Sequence, residues 1–213
     1  MTTPRDAILA RIRRALDDVP GREEPEDVPV ARGYREREPE GTAGRFVERV
    51  EDYGAGVRIV AWKDLTSAVG ETCRANDIAR VVVPLDLPAA WLPADVEPVP
   101  DVGLGAHELD AVDGAITGCA LAIAETGTIV LDSGPRQGRR ALTLVPDFHL
   151  CVVEEKQVVD GVPAALRRLA DNLRGPRRPV TFVSGPSATS DIELSRVEGV
   201  HGPRRLEVVL VRE

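Results

Sequence analysis

Val57-Arg-Ile-Val-Ala61, then a helical segment over 64–76, then Ala79-Arg-Val-Val-Val-Pro84 form the stretch whose reading decides the fold. The two apolar runs read as strands, and the segment between them is long enough for a crossover helix. Strands that alternate with helices of this length pair in parallel, which implies an α/β sheet covered on both faces. Upstream, Phe46, Val47 and Val50 predict a helix ending near Gly54 or Gly56. Downstream, strands are predicted over 114–117, 120–124, 128–131, 149–153, 180–183 and 206–211. A further helix is predicted over 160–173, with Leu166, Leu169 and Leu173 on one face. The expected architecture is an open, mostly parallel α/β sheet with helices on both faces.

A different pattern precedes that domain. Thr3-Pro4-Arg5-Asp6 reads as a helix start, with Thr3 as N-cap, Pro4 at the first helical position and Asp6 near the positive end of the dipole. Ile8, Leu9, Ile12 and Leu16 then fall on one face of a short amphipathic helix. Residues 19–41 are crowded with Pro, Glu and Arg, bury little surface, and are expected to be an extended or poorly ordered linker. The predicted organisation is a helix and linker over 1–41 and an α/β domain over 42–213. A helix this short is marginal by itself and needs a surface to lie against, in the main domain or in a second protein chain.

The totals narrow the functional classes. The 213 residues suffice for one sizeable core, or for one domain with an appendage. Hydrophobic and charged contents of 43% and 29% are those of a soluble globular protein, and with 3% aromatics the core must rest on Val, Leu, Ile and Ala. A net charge of −8 argues against nucleic acid as the main partner, since phosphate binding needs a positive surface. No apolar run approaches the ~20 residues that span a bilayer. Arg5, Asp6, Arg11 and Arg13 interrupt the apolar positions at the N-terminus, as no signal peptide does. A cytoplasmic location is expected. Cys73, Cys119 and Cys151 are odd in number and far apart, without a C-x-x-C pair, so they predict buried free thiols and neither an iron–sulfur cluster nor a structural zinc. His107, His149 and His201 are scattered, with no carboxylate at ligand spacing, and no metal site is expected.

Three stretches are candidates for chemistry. In Ala122-Ile-Ala-Glu-Thr-Gly-Thr-Ile-Val-Leu131 a lone carboxylate, Glu125, lies between two apolar strands beside Gly127, which permits a tight bend. At a strand end of an open α/β sheet it is a base, a nucleophile or a hydrogen-bond acceptor for the next loop. Asp132-Ser-Gly-Pro-Arg-Gln-Gly-Arg-Arg140 offers Arg136, Arg139 and Arg140 to a carboxylate or phosphate, or else is a solvated turn. It matches no phosphate-loop consensus. After Val183, Ser184-Gly-Pro breaks a strand, and Ser187, Thr189, Ser190 and Asp191 either open a short helix that holds an anion or simply cap it. No nucleophile elbow is present. The loop after Val183 is expected to face Glu125 across one polar cleft.

Ile123-Ala-Glu-Thr-Gly-Thr-Ile-Val-Leu131, Leu144-Val-Pro-Asp-Phe-His-Leu-Cys-Val-Val153, Gly185-Pro-Ser-Ala-Thr-Ser-Asp-Ile-Glu193 and Gly199-Val-His-Gly-Pro-Arg-Arg-Leu206 resemble, in this order, the lactate utilization (LUD) domain family. The resemblance covers roughly 42–212, and the N-terminal helix and linker look like those of the family's short members. It implies a NagB/RpiA/CoA-transferase-like fold. It also implies a place in a three-protein system that oxidises L-lactate to pyruvate, whose other two members carry iron–sulfur clusters; this chain would be the cluster-free subunit, without a cofactor of its own. Mapping the motifs gives Glu125, Asp191 and His201 as catalytic candidates. Thr126, Gly127, Thr128, Arg136, His149, Gly185, Ser187 and Thr189 are the ligand-binding candidates, for a small carboxylate or phosphate. Many members carry His where this chain has Glu207, and no role is assigned there. Two other readings stay open: a stand-alone CoA-transferase or sugar-phosphate-isomerase-like enzyme with Glu125 as nucleophile or base, and a small-anion-binding regulatory module. A homo-oligomer is compatible with all three.

Overall fold

The computed structural model describes residues 3–18, 42–174, 178–190, 196–198 and 201–212, with the side chains of 171–174, 188–190 and 196–198 left aside. The predicted linker over 19–41 lies outside these residues, as does Asp191. The chain forms two units, Met1–Arg35 and Glu36–Glu213.

In the first unit, helix α1 (Pro4–Ala15) starts as its sequence requires. The Thr3 hydroxyl accepts from the Asp6 amide at 3.2 Å while the Asp6 carboxylate accepts from the Thr3 amide at 3.1 Å, a reciprocal capping box. No residue of α1 is buried.

The second unit carries α2 (Thr42–Asp52), β1 (Gly56–Ala61), α3 (Leu65–Ala75), β2 (Arg80–Val83), β3 (Glu97–Pro100), α4 (Ala106–Asp110), β4 (Gly114–Thr117), β5 (Leu121–Ile123), β6 (Thr128–Leu131), β7 (Phe148–Glu154), β8 (Val158–Val159), α5 (Val162–Arg174), β9 (Thr181–Val183), β10 (Ala188–Ser190), β11 (Arg196–Glu198) and β12 (Arg205–Arg212). Six strands form one sheet in the order β1-β12-β7-β4-β2-β3, every neighbouring pair parallel. Its central strands are apolar on both faces, as a doubly covered parallel sheet demands. Phe148, Leu150, Val152, Val209 and Val211 pack with Leu65, Ala68, Val69 and Cys73 of α3. The alternate residues Cys151, Val153, Val208 and Leu210 pack with Phe46 and Val50 of α2. A side chain as fully buried as Leu150 or Leu210 contributes about 1.5–3 kcal/mol.

The later strands depart from a single sheet. β8, β5, β6 and β9 make a separate four-stranded sheet in that order, antiparallel at β5–β6 and β6–β9. The reason is chain length: only 124–127 connect β5 to β6, enough for a hairpin turn and far too short for a parallel crossover. One face of this sheet, with Ala122, Ile129 and Leu131, joins the α2 side of the large sheet. The other, with Leu121, Ile123, Val130 and Val159, is covered by Ala165 and Leu169 of α5. The predicted inward face of α5 therefore shifts: Ala165 and Leu169, four apart, point in, while Leu166 is exposed. β10 and β11 form a short antiparallel pair on either side of the residues around Asp191.

Candidate functional site

A cavity of about 220 Å³ opens where β7 and β12 begin. Arg140 and Thr143 come from the single 3-10 turn that leads into β7, His149 is the second residue of β7, and Leu206 the second of β12. Phe182 and Val183 end β9, and the loops 184–187 and 201–203 complete the wall. This is the amino edge of the parallel sheet, whereas open α/β sheets usually hold ligands at the carboxyl edge.

His149 and Thr143 are the buried polar residues of the described lining, 1% and 3% exposed. The His149 Nε2 lies 2.8 Å from the Thr117 hydroxyl on the adjacent strand β4, with the roles of donor and acceptor set by the tautomer. Burial, assisted by the positive charge of Arg140, lowers its pKa from 6.5 to about 4, so the imidazole is neutral at physiological pH. Arg140 donates from Nη1 to the Thr143 carbonyl at 2.7 Å and to the Thr143 hydroxyl at 3.0 Å. It has no carboxylate partner among the described residues. Its two neighbours in the sequence loop are engaged elsewhere. Arg139 makes a two-point contact with Asp101 at 2.7 and 2.9 Å, and Arg136 reaches Glu154 at 2.8 Å.

The loop after Val183 is held by short-range contacts. The Ser187 amide donates to the Pro203 carbonyl at 2.8 Å, and the Ser187 hydroxyl accepts from the His201 amide at 3.1 Å. Gly185 has φ +83°, and a Cβ there would lie 2.6 Å from the Cβ of Tyr53, so backbone conformation and space both require glycine. His149, Gly185, Ser187 and His201 are thus brought together as predicted site residues. Thr189 belongs to β10 and its side chain is not described; Asp191 lies outside the described residues.

The expectation of a single cleft is corrected. Glu125 and Thr126 line a second depression with Arg49, Asp52 and Tyr53. Glu125 sits in the β5–β6 turn of the small sheet, not at the end of a strand of the open sheet, and its amide donates to the Asp160 carbonyl at 2.8 Å. That turn is fixed against α2: Gly127 has φ +57°, and a Cβ on it would meet the Arg49 carbonyl carbon at 2.6 Å. Tyr53 lines this second depression and packs on Gly185 of the first, forming a wall between them. A chain of hydroxyls crosses the wall, Thr126 to Thr128 at 2.7 Å and Thr128 to Ser184 at 2.7 Å.

Arg136 is placed away from both, at the carboxyl edge of the large sheet. Its guanidinium stands 5.3 Å over the Trp91 ring as well as pairing with Glu154. Burial opposes ionisation of Glu154, but hydrogen bonds from Lys156 and Arg136 prevail and hold its carboxyl below the ordinary range. Thr117, Thr143, Phe182 and Leu206 line or support the cavity without a sequence signal; a threonine closing a buried strand is indistinguishable from packing until its partner is known. Among the described residues no group of three His, Cys, Asp or Glu side chains is arranged to hold a metal ion, and none of the helices is long and apolar enough to cross a membrane. All three cysteines are buried.

Residues 106–211 match a family model described as the LUD domain. Every residue lining the amino-edge cavity falls within that span, whereas Arg49, Asp52 and Tyr53 do not. The chain is 49% identical over 168 residues to lactate utilization protein C of Deinococcus radiodurans, covering 78% of each. It is 36% identical over 117 residues to lactate utilization protein C 1 of Bacillus mycoides, covering 51% of this chain and 50% of that one. The crystal structure of a DUF162 family protein from Deinococcus radiodurans, at 1.70 Å resolution, aligns with a TM-score of 0.69 and 40% identity, over 80% of this chain and 96% of that one.

Proposed function

The chain belongs to the LUD domain family, and from that membership we propose that it serves lactate utilization as the cluster-free component of a cytoplasmic system converting L-lactate to pyruvate. Two iron–sulfur proteins accept the electrons in this reading, and the present chain contributes substrate binding or architecture. The observation that carries it is the 49% identity, over 78% of each chain, to a relative named lactate utilization protein C. The geometry is in keeping with a binding role. A small cavity lined by the Arg140 guanidinium, the His149 and His201 imidazoles and hydroxyls suits an organic anion, and its lining lies entirely within the matched family span.

The test is lactate-to-pyruvate conversion by the two iron–sulfur partners with and without this chain. The rate is expected to fall at least tenfold when the chain is left out and to return when it is added. An unchanged rate, with no co-purification of the three proteins, would overturn the proposal.

A further inference from the structure

We infer that the outer edge of β1 is an interface between two copies of this chain, paired antiparallel about a two-fold axis so that the large sheet continues from one copy into the other. The inference is independent of the ligand and of the reaction that the chain serves.

The edges of the two sheets are not equivalent. β3 closes one side of the large sheet with Pro98 and Pro100, which have no amide to donate, and Glu97 beside them pairs with Arg80 at 3.5 Å. β8 and β9, at the edges of the small sheet, are only two and three residues long. β1, Gly56-Val-Arg-Ile-Val-Ala61, is six residues long, free of proline, and joined to β12 on one side only. Among the described residues no backbone group pairs with its outer side. Alternate residues of a strand turn N–H and C=O to the same neighbour, so half of β1 presents unpaired donors and acceptors to a further strand.

The side chains along this edge select a second copy as that strand. Ile59 is 44% exposed, and Trp62, just past the strand, is 41% exposed. A two-fold axis normal to the sheet places one residue of β1 opposite itself. With Arg58 on the axis two guanidiniums would face each other, which is destabilising. With Ile59 on the axis the two exposed isoleucines pack on one another. Val57 then meets Ala61 of the other copy, Arg58 meets Val60, and Gly56 meets Trp62, an aromatic ring against an edge glycine. Arg58 keeps its own counterion, Glu71 of α3 at 3.2 Å, so no unpaired charge enters the seam. The axis also preserves the faces of the sheet. Val57 packs on the α2 side and Val60 on the α3 side, so each flanking helix comes to lie beside its own copy. The contact therefore extends beyond the strand pair on both faces, as a stable dimer requires.

The experiment is sedimentation velocity on the full chain at micromolar concentration, comparing the wild type with Ile59→Lys and Val102→Lys. Val102 is 76% exposed and follows β3, at the opposite edge of the sheet. The wild type and Val102→Lys are expected at twice the chain mass. Ile59→Lys is expected at the chain mass with its circular dichroism unchanged, because residue 59 is exposed. The register is read from Ile59→Cys. Residues opposite one another in an antiparallel pair have Cα atoms about 4.5–5.5 Å apart, within disulfide range. Oxidised glutathione should therefore convert this variant to a covalent dimer, the two thiols giving a disulfide as the glutathione is reduced. The native cysteines are all buried and do not compete. A wild type at the chain mass, a dimer that survives Ile59→Lys, or cross-linking of Ile59→Cys no faster than of Val102→Cys would each overturn the inference.

Discussion

The two polar depressions lie on either side of one wall, Tyr53 against Gly185, yet they differ in kind. The Glu125 depression is open: its carboxylate is exposed, and Arg49 beside it pairs with Asp52 at 3.1 Å across solvated surface. Such a pair contributes little to stability because water screens it. The amino-edge cavity encloses a buried imidazole and a partly buried guanidinium between apolar walls. There the lower dielectric makes each charge and hydrogen bond count for more.

The sharpest way to break the comparison is to remove the wall. Gly185→Ala should destabilise the fold by roughly 2–5 kcal/mol, combining left-handed backbone strain with the clash at Tyr53. A denaturant midpoint within error of wild type would show that the loop relaxes without cost.

The second effect is tied to pH. The unfolded chain protonates a histidine near pH 6.5, but His149 in the fold resists until about pH 4. Native stability therefore falls as pH drops through that window and is unaffected by this group above it, by an amount on the order of 3 kcal/mol at pH 4. Glu207 acts with the opposite sign. Burial raises its pKa, so its contribution is present at low pH and is lost as pH rises through the raised value. Comparing wild type with His149→Gln, both carrying Glu207, isolates the histidine: the variant should show a shallower loss between pH 6.5 and 4. Parallel curves would mean that His149 is not shielded.

Thr128→Val tests the hydroxyl chain between the depressions. Thr128 is 3% exposed and bonds both Thr126 and Ser184, so an isosteric valine should cost about 1 kcal/mol in a urea melt. A neutral result would mean that water replaces the lost partner. The smallest effect is expected at Glu125: Glu125→Gln should change stability by less than about 0.5 kcal/mol, as exposed sites do, and leave lactate affinity unaltered. A tenfold loss of affinity in that variant would join the two depressions into the single site that the motif spacing suggests.

Local pattern determined the elements of this protein. Apolar alternation and helix-length spacing place β4 and β6 at their observed bounds and β7 and β12 within a residue, because burial on two faces leaves a continuous apolar signature. The capping residues of α1 are likewise legible, since Thr3 and Asp6 are three apart and act within one turn. Tertiary structure alone decided the rest. The division into two sheets depends on which strands meet, and the four-residue spacing between β5 and β6 is hidden within the regular alternation around it. β3, as Glu97-Pro-Val-Pro100 on a sheet edge, lacks the apolar run that identifies a strand. The site shows the same limit. Gly185, Ser187, His149 and His201 stand out in the chain, but whether Arg136, Arg139 or Arg140 serves them depends on where Glu154 and Asp101 lie in space. Two of these guanidiniums found carboxylates across the fold, and the pairing of charges far apart in sequence is set by packing, not by any local rule.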